Sequence, residues 1–457
     1  MTVVAPSTRI DVALPADVAV SDLVPLVVDL AHERTPDGGS RHGGWVLAKL
    51  GDAPLDPGRT LASLGVVDGE LLQLRKRIES PPPPLYDDVV DAIADTDPDS
   101  FRPWTADTAK RIAHIAGGLA LFVAALTLFM GGSLFGGSSL TAAIIGGVGA
   151  IAGIAVGAVL AKSYQAPTTG VVIAAAGGLP LAFVSGFAIV PGVSVRANLL
   201  LAFVLVVIFA AAAIMLIGSG IATFIAVATA GTIGAIASLF AMFIAHPASG
   251  IAAGAAAVSL GLISALPRTT IWLAKLPLPT VPGSAEELKA DTGELDYVAI
   301  EQRTVVAHEY MTGLLIGCGA ATAVSSIIAA TSPSIFGPLL AVAATLALLL
   351  RARTYANGAQ AIALLTMGMV SGAGITLGWM VNASPWGRLL WVFVLVLLIG
   401  AGALVVGVVF PHQRFSPPLR RAVEIFEAIC IAVVLPLALG VMGLYSALRG
   451  VGSTILE

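Results

Sequence analysis

From Ile112 to Leu448 the chain is a succession of apolar stretches of roughly twenty residues, parted by short polar breaks. A helix needs about 20 apolar residues to cross the hydrocarbon core of a bilayer, so this pattern constrains the fold more than anything else in the sequence. Eleven stretches read as crossings, at 112–134, 139–161, 169–190, 196–217, 219–244, 249–267, 304–330, 335–352, 358–381, 387–410 and 422–447. Only Gly218, Ser219 and Gly220 separate the fourth from the fifth. The expected body is therefore a polytopic α-helical membrane protein with about 11 transmembrane helices.

The residues before this body have a different character. Of the 28 acidic residues, 18 precede Thr108, and none lies between Thr108 and Ala285. A charged head on a membrane body explains a whole-chain charged content of 11%, against about 25% in soluble domains. No apolar run long enough for a signal peptide precedes residue 110, so the head is expected to stay on the side where it is made. A net charge of −4 without a basic stripe argues against nucleic acid as a partner.

Within the head, Arg9 to Leu14 alternates like a half-buried strand, and with Val18 to Val20 it predicts a hairpin across Pro15–Asp17. Ser21 is positioned to cap a helix carrying Leu23, Leu26, Val27 and Leu30, fading by Arg34. Trp45 to Leu50 predicts a third strand, Leu61 to Val66 a turn-like element, Asp68-Gly69 a tight turn, and Leu71 to Arg75 the last strand. Four domains follow: a head at 1–78, a proline-rich and acidic linker at 79–111, a helical bundle at 112–448 with a long loop at about 268–303, and a tail at 449–457. Pro81 to Pro84 is stiff and extended, while Leu85, Tyr86, Val89, Val90 and Ile93 give the linker residues with which to lie along a neighbour. Phe101, Trp104, Lys110 and Arg111 are expected interface anchors, as is Trp272 in the long loop. In that loop Ser284 and Glu287 have the spacing of a capped turn, and its acidic residues would serve a solvated connector or a landing site equally well.

Basic residues predict orientation. With the head inside the cell, the inner gaps hold ten Lys and Arg (Lys162, Arg268, Lys275, Lys289, Arg303, Arg351, Arg353, Arg414, Arg420 and Arg421), and the outer side holds only Arg196, Arg388 and Arg449. The excess of basic residues on the cytoplasmic side predicts a cytoplasmic N-terminus, and an odd number of crossings then puts the C-terminus outside. Gly149/Gly153/Gly157, Gly250/Gly254, Gly313/Gly317, Gly368/Gly372 and Gly374/Gly378 have the spacing that lets helices approach closely. Leu389 to Leu398 is bulky on all sides and is expected to face lipid.

The chemistry-bearing residues form no constellation. Cys318 and Cys430 fall inside apolar segments, without metal-type spacing. Glu309, Glu424 and Glu427 sit near expected helix ends and read as residues that pair locally; His114, His246, His308 and His412 read as interfacial. No Asp, Glu, Lys or Arg falls near the middle of an expected crossing, where a charge costs about 2.5–3.5 kcal/mol and is kept mainly for ion, proton or substrate movement. No phosphate-binding loop, zinc-protease motif or nucleophile elbow occurs. The expected catalytic, cofactor-binding and metal-binding residues are none.

Strand, strand, helix, strand, turn, strand resembles the ubiquitin-like β-grasp fold, most closely over Arg59 to Arg77 (RTLASLGVVDGELLQLRKR). No Gly-Gly tail follows Leu74, which argues for docking over conjugation. Together with PPPPLYDDVVDAIAD (Pro81 to Asp95) and WLAKLPLPTVPG (Trp272 to Gly283), the chain resembles, over essentially its full length, the EccD family of type VII (ESX) secretion systems. The resemblance implies a non-enzymatic structural subunit in the bacterial inner membrane. The implied partners are EccB, the ATPase EccC, EccE and a second EccD copy making a homodimer, with membrane lipids between copies and the heads against EccC. The alternative is a stand-alone solute transporter with a regulatory cytoplasmic head.

Overall fold

The computed structural model describes residues 1–6, 8–32, 44–49, 54–67, 69–76, 104–134, 139–192, 194–244, 246–276, 297–409 and 416–445. The linker motif Pro81 to Asp95, Phe101, the Ser284–Glu287 turn, His412 and the tail lie outside them. The chain divides into two compact units, Met1–Pro103 and Trp104–Glu457.

In the first unit, β1 (Thr2–Val4) pairs antiparallel with β2 (Arg9–Asp11) and parallel with β4 (Leu71–Lys76), which pairs antiparallel with β3 (Trp45–Lys49). The sheet order is β2-β1-β4-β3. One face of the sheet and helix α1 (Val20–Leu30) close over Val3, Leu23, Val27, Leu47, Leu61, Leu72 and Leu74, each no more than 2% exposed. Burying a side chain of this size contributes about 1.5–3 kcal/mol.

Two expectations for the head are corrected. The hairpin partner of Arg9–Asp11 is the N-terminal segment Thr2–Val4, not Val18–Val20. Val18 leads into α1, and Ala19 makes only an isolated bridge to Thr60. The N-cap of α1 is Ala19, with no side-chain hydrogen bond, so Ser21 lies inside the helix and does not cap it. The first-turn amides are held instead by the Pro57–Arg59 segment, whose Pro57 and Arg59 carbonyls accept from Ser21 and Val20.

Lys49 on β3 makes a 2.9 Å ion pair with Glu70 at the start of β4. The Lys49 hydrogen bond, together with the Val67 amide, holds the Glu70 carboxyl below its usual value. A group depressed on folding contributes stability above its unfolded pKa and loses it as pH falls through the folded pKa. The head is thus expected to keep constant stability from neutral pH down to the ordinary carboxylate range and to weaken below it. Hydrogen exchange at β4 across an acid titration checks this, and Lys49→Met is expected to reduce the Glu70 share of the slope to what the Val67 amide supplies.

Among the described residues, the second unit holds eleven helices long and apolar enough to span a membrane. They are α2 (Ala106–Gly132), α3 (Ser139–Lys162), α4 (Pro167–Ala188), α5 (Val195–Ile217), α6 (Ile221–Phe243), α7 (Ala248–Leu273), α8 (Ile300–Ala329), α9 (Phe336–Thr354), α10 (Gly358–Asn382), α11 (Pro385–Val405) and α12 (Pro417–Val441). The break between α5 and α6 is real, because Gly218 (φ 70°) and Gly220 (φ 64°) both take the left-handed conformation that side chains resist.

Three boundaries move. Helix α2 starts at Ala106, capped by the Thr105 side chain, so Lys110 and Arg111 lie in its first turns. Helix α7 runs through Pro267 to Leu273, so Ile271 and Trp272 continue a span and do not lie in the long loop. Helix α12 starts at Pro417, which puts Glu427 about three turns inside it and not at its end.

Helix α8 is the centre of the larger half, packed against α6, α7, α9 and α10, while α3, α4, α5 and α6 form a second cluster. Small residues make these approaches possible. An added Cβ at Gly157 would stand 2.7 Å from the Gly170 carbonyl, and one at Gly313 2.6 Å from that of Ala222. Gly317 meets Ala226, Gly368 meets Leu349 and Gly374 meets Ile327, all within the chain, whereas Gly378 faces open space. Buried hydroxyls tie further pairs: Ser259 to Thr322 at 2.8 Å across α7 and α8, and Thr345 to Ser371 at 2.7 Å across α9 and α10.

Candidate interaction sites

The bundle's arginines are engaged mainly with helix ends. Arg196 donates to the Ala241 carbonyl at 2.8 Å, Arg388 to Val381 at 3.1 Å and Arg303 to Lys275 at 3.0 Å. Each thereby satisfies a terminal carbonyl and meets the negative end of a helix dipole. On the short charged turn of α12, Arg420 pairs with Glu424 one turn on, at 3.1 Å.

A tighter arrangement joins α7, α9 and α12. Glu427, 7% exposed, accepts from Arg351 Nη1 at 3.3 Å and from Arg353 Nη2 at 3.4 Å. Arg351 Nη2 also donates to Ser264 Oγ at 3.1 Å. Burial pushes the nearby Tyr355 hydroxyl above its ordinary value, and Arg351 partly opposes that shift. The sequence shows these residues only as local end charges; it does not show that chain segments 74 and 76 residues apart converge. What makes the depth of Glu427 tolerable is that two guanidiniums reach it, because an unpaired carboxylate there would be costly. Glu424 thus pairs locally as expected, with Arg420, whereas Glu427 does not: its partners come from α9.

The remaining expected residues are dispersed. His114 is hydrogen-bonded to Thr169 at 2.8 Å between α2 and α4, and Thr312 donates to the His308 carbonyl. Cys318 and Cys430 are buried in the helical core as free thiols. Trp104 and Trp272 are exposed, Trp272 beside Arg268 and Lys275. Among the described residues no cluster of three His, Cys, Asp or Glu side chains could hold a metal.

Two surfaces remain open. Every described side chain from Arg388 to Val405 on α11 is exposed or only partly covered, and this helix packs on the bundle mainly near its start, against α10. In the head, Leu26 and Leu30 stand 48% and 47% exposed on the outer face of α1. A largely apolar cleft of about 650 Å³ opens between α5, α6, α7 and α8, with Arg196 and His246 among its lining residues.

Comparison with known proteins matches this architecture unit by unit. A family model described as EccD-like transmembrane domain covers residues 109–451. A second, described as WXG100 protein secretion system (Wss), protein YukD, covers residues 1–74. The ESX-4 secretion system protein eccD4 of Mycobacterium tuberculosis is 28% identical, over 98% of this chain and 96% of that one. The ESX-3 secretion system protein EccD3 of Mycolicibacterium smegmatis is 28% identical, over 95% and 94%. Among solved structures, protomer 1 of the ESX-3 core complex shares the fold with a TM-score of 0.61 at 23% identity, covering 98% of this chain and 99% of that one. The MycP5-free ESX-5 inner membrane complex aligns with a TM-score of 0.54 at 21% identity, covering 88% and 98%. With eleven spans, a ubiquitin-like head and a family model over three quarters of its length, the chain belongs to the EccD family of type VII (ESX) secretion membrane proteins.

Proposed function

We propose that the chain is a non-enzymatic scaffold subunit of an inner-membrane ESX secretion complex. Its partners in this reading are EccB, the ATPase EccC, EccE and a second copy of itself. The head and N-terminus lie in the cytoplasm and the C-terminus in the periplasm, with the ubiquitin-like head as the docking module for the ATPase. The observation that carries this reading is the engagement of Arg196, Arg303, Arg351, Arg353 and Arg388 in capping and pairing contacts. These charges hold helices together, which supports a structural role over that of a transporter whose charges serve a midplane site. The uncovered length of α11 supports a place beside other membrane helices.

Purification from native membranes in mild detergent, followed by mass spectrometry, is expected to recover EccB, EccC and EccE with this chain. Removing Met1–Lys76 is expected to release the ATPase while EccB and EccE stay. If the chain is recovered alone, and alone in proteoliposomes it moves a solute, the transporter alternative replaces this reading.

A further inference from the structure

The Arg351–Glu427–Arg353 cluster borders an open pocket of about 520 Å³ between α7, α9 and α12. That volume is within the range of ordinary small-ligand sites, about 300–1,000 Å³. Its lining changes character from one end to the other. The polar end offers the Arg351 guanidinium and the Ser264 hydroxyl, while the Thr354 hydroxyl is spent on the Arg351 carbonyl; the other end is the α12 surface of Ala428, Ile431 and Ala432, which continues into the apolar body of the helix.

The local charge is unbalanced. Both carboxylates that line the pocket already have cationic partners, Glu424 in Arg420 and Glu427 in two arginines. Arg351, Arg353 and Arg420 thus pair with Glu424 and Glu427, three cations against two carboxylates, which leaves one positive charge in surplus in this cluster. The two Glu427 contacts, at 3.3 and 3.4 Å, are longer than the about 2.7–2.9 Å of a saturated charge-assisted bond. A guanidinium carries five N–H donors, so capacity remains for another oxygen anion.

We propose that this pocket binds an anionic phospholipid, its phosphate headgroup on Arg351 and Ser264 and an acyl chain along Ala428, Ile431 and Ala432. The apolar wall selects a lipid over a soluble phosphate, because a free anion gains nothing from it. Basic pockets between membrane helices recognise such headgroups by the same electrostatics. The inference does not depend on which complex the chain serves.

The test uses the full chain in mild detergent, incubated with phosphatidylglycerol or phosphatidylcholine, with native mass spectrometry of the retained lipid. The wild type is expected to retain phosphatidylglycerol in about tenfold excess. Ala428→Phe fills the apolar end without touching the ion pairs and is expected to abolish that excess. Arg353→Gln leaves Glu427 paired with Arg351, removes one surplus charge and is expected to bring the two lipids close to parity. Phosphatidylglycerol, but not millimolar inorganic phosphate, is expected to raise the thermal midpoint. Equal retention of both lipids by the wild type, an undiminished excess in both variants, or a phosphate effect equal to that of the lipid would each overturn the proposal.

Discussion

Glu427→Ala is expected to be among the most damaging single substitutions in the bundle. It leaves Arg351 and Arg353 facing each other at a site where the lost carboxylate was 7% exposed. Breaking one partner of a buried ion pair typically costs about 3–5 kcal/mol, because the remaining charge keeps its desolvation penalty. The two arginines are not equivalent. Arg353 is the more exposed, at 35% against 24% for Arg351, so Arg353→Gln should cost only about 0–1 kcal/mol, as for surface pairs. Chemical unfolding of the detergent-solubilised chain measures both. The combination Arg351→Leu with Glu427→Leu removes both charges together and should be far milder than Glu427→Ala, since apolar replacement of a buried pair is often close to neutral. A Glu427→Ala protein as stable as the wild type would show that the pairing holds nothing together.

The second large effect is expected at α8. Gly313 and Gly317 lie on its face toward α6, where an added Cβ would stand 2.6 Å from the Ala222 carbonyl and 2.6 Å from both the Ala226 carbonyl and Thr229 Cβ. The nearest obstacles are backbone carbonyls and the Cβ atoms of Ile225 and Thr229, so no rotamer change relieves them and the helices must separate. Gly313→Ala and Gly317→Ala are each expected to cost about 1–3 kcal/mol by overpacking, and the pair together more than either. The same change at Gly378 or Gly400, where nothing lies within 4 Å, should be neutral or slightly favourable, because Ala exceeds Gly in helix propensity by about 1 kcal/mol. Equal effects at all four positions would mean that the close approach of α6 and α8 is not what these glycines serve.

The spans were legible because their signal is local: twenty apolar residues declare themselves without a neighbour. Even Gly218-Ser219-Gly220, a three-residue break, gave the right count of helices. The head was less legible where its structure is non-local. Thr2–Val4 is too short to show alternation, and it becomes a strand through its parallel pairing with Leu71–Gln73 at the far end of the domain. Without that pairing in view, Val18–Val20 was the nearest apolar run to complete a hairpin. The charge cluster was hidden for a similar reason. Arg351, Arg353 and Glu427 are visible as residues, but their meeting depends on α9 and α12 packing side by side, which no spacing encodes. By contrast, the exposure of Leu389 to Leu398 followed from their bulk on every side, since such a helix offers no small face for a neighbour in the same chain.

Helix α11 makes almost no contacts, yet the bundle depends on it arithmetically. Helix α9 finishes at the side where Arg351 and Arg353 emerge; α10 leaves that side, α11 returns to it, and α12 then starts there and meets them with Glu427, about three turns on. Excising α11 would change the parity of the path. The last span would enter from the opposite leaflet, and its carboxylate would arrive a membrane's breadth from the arginines that hold it.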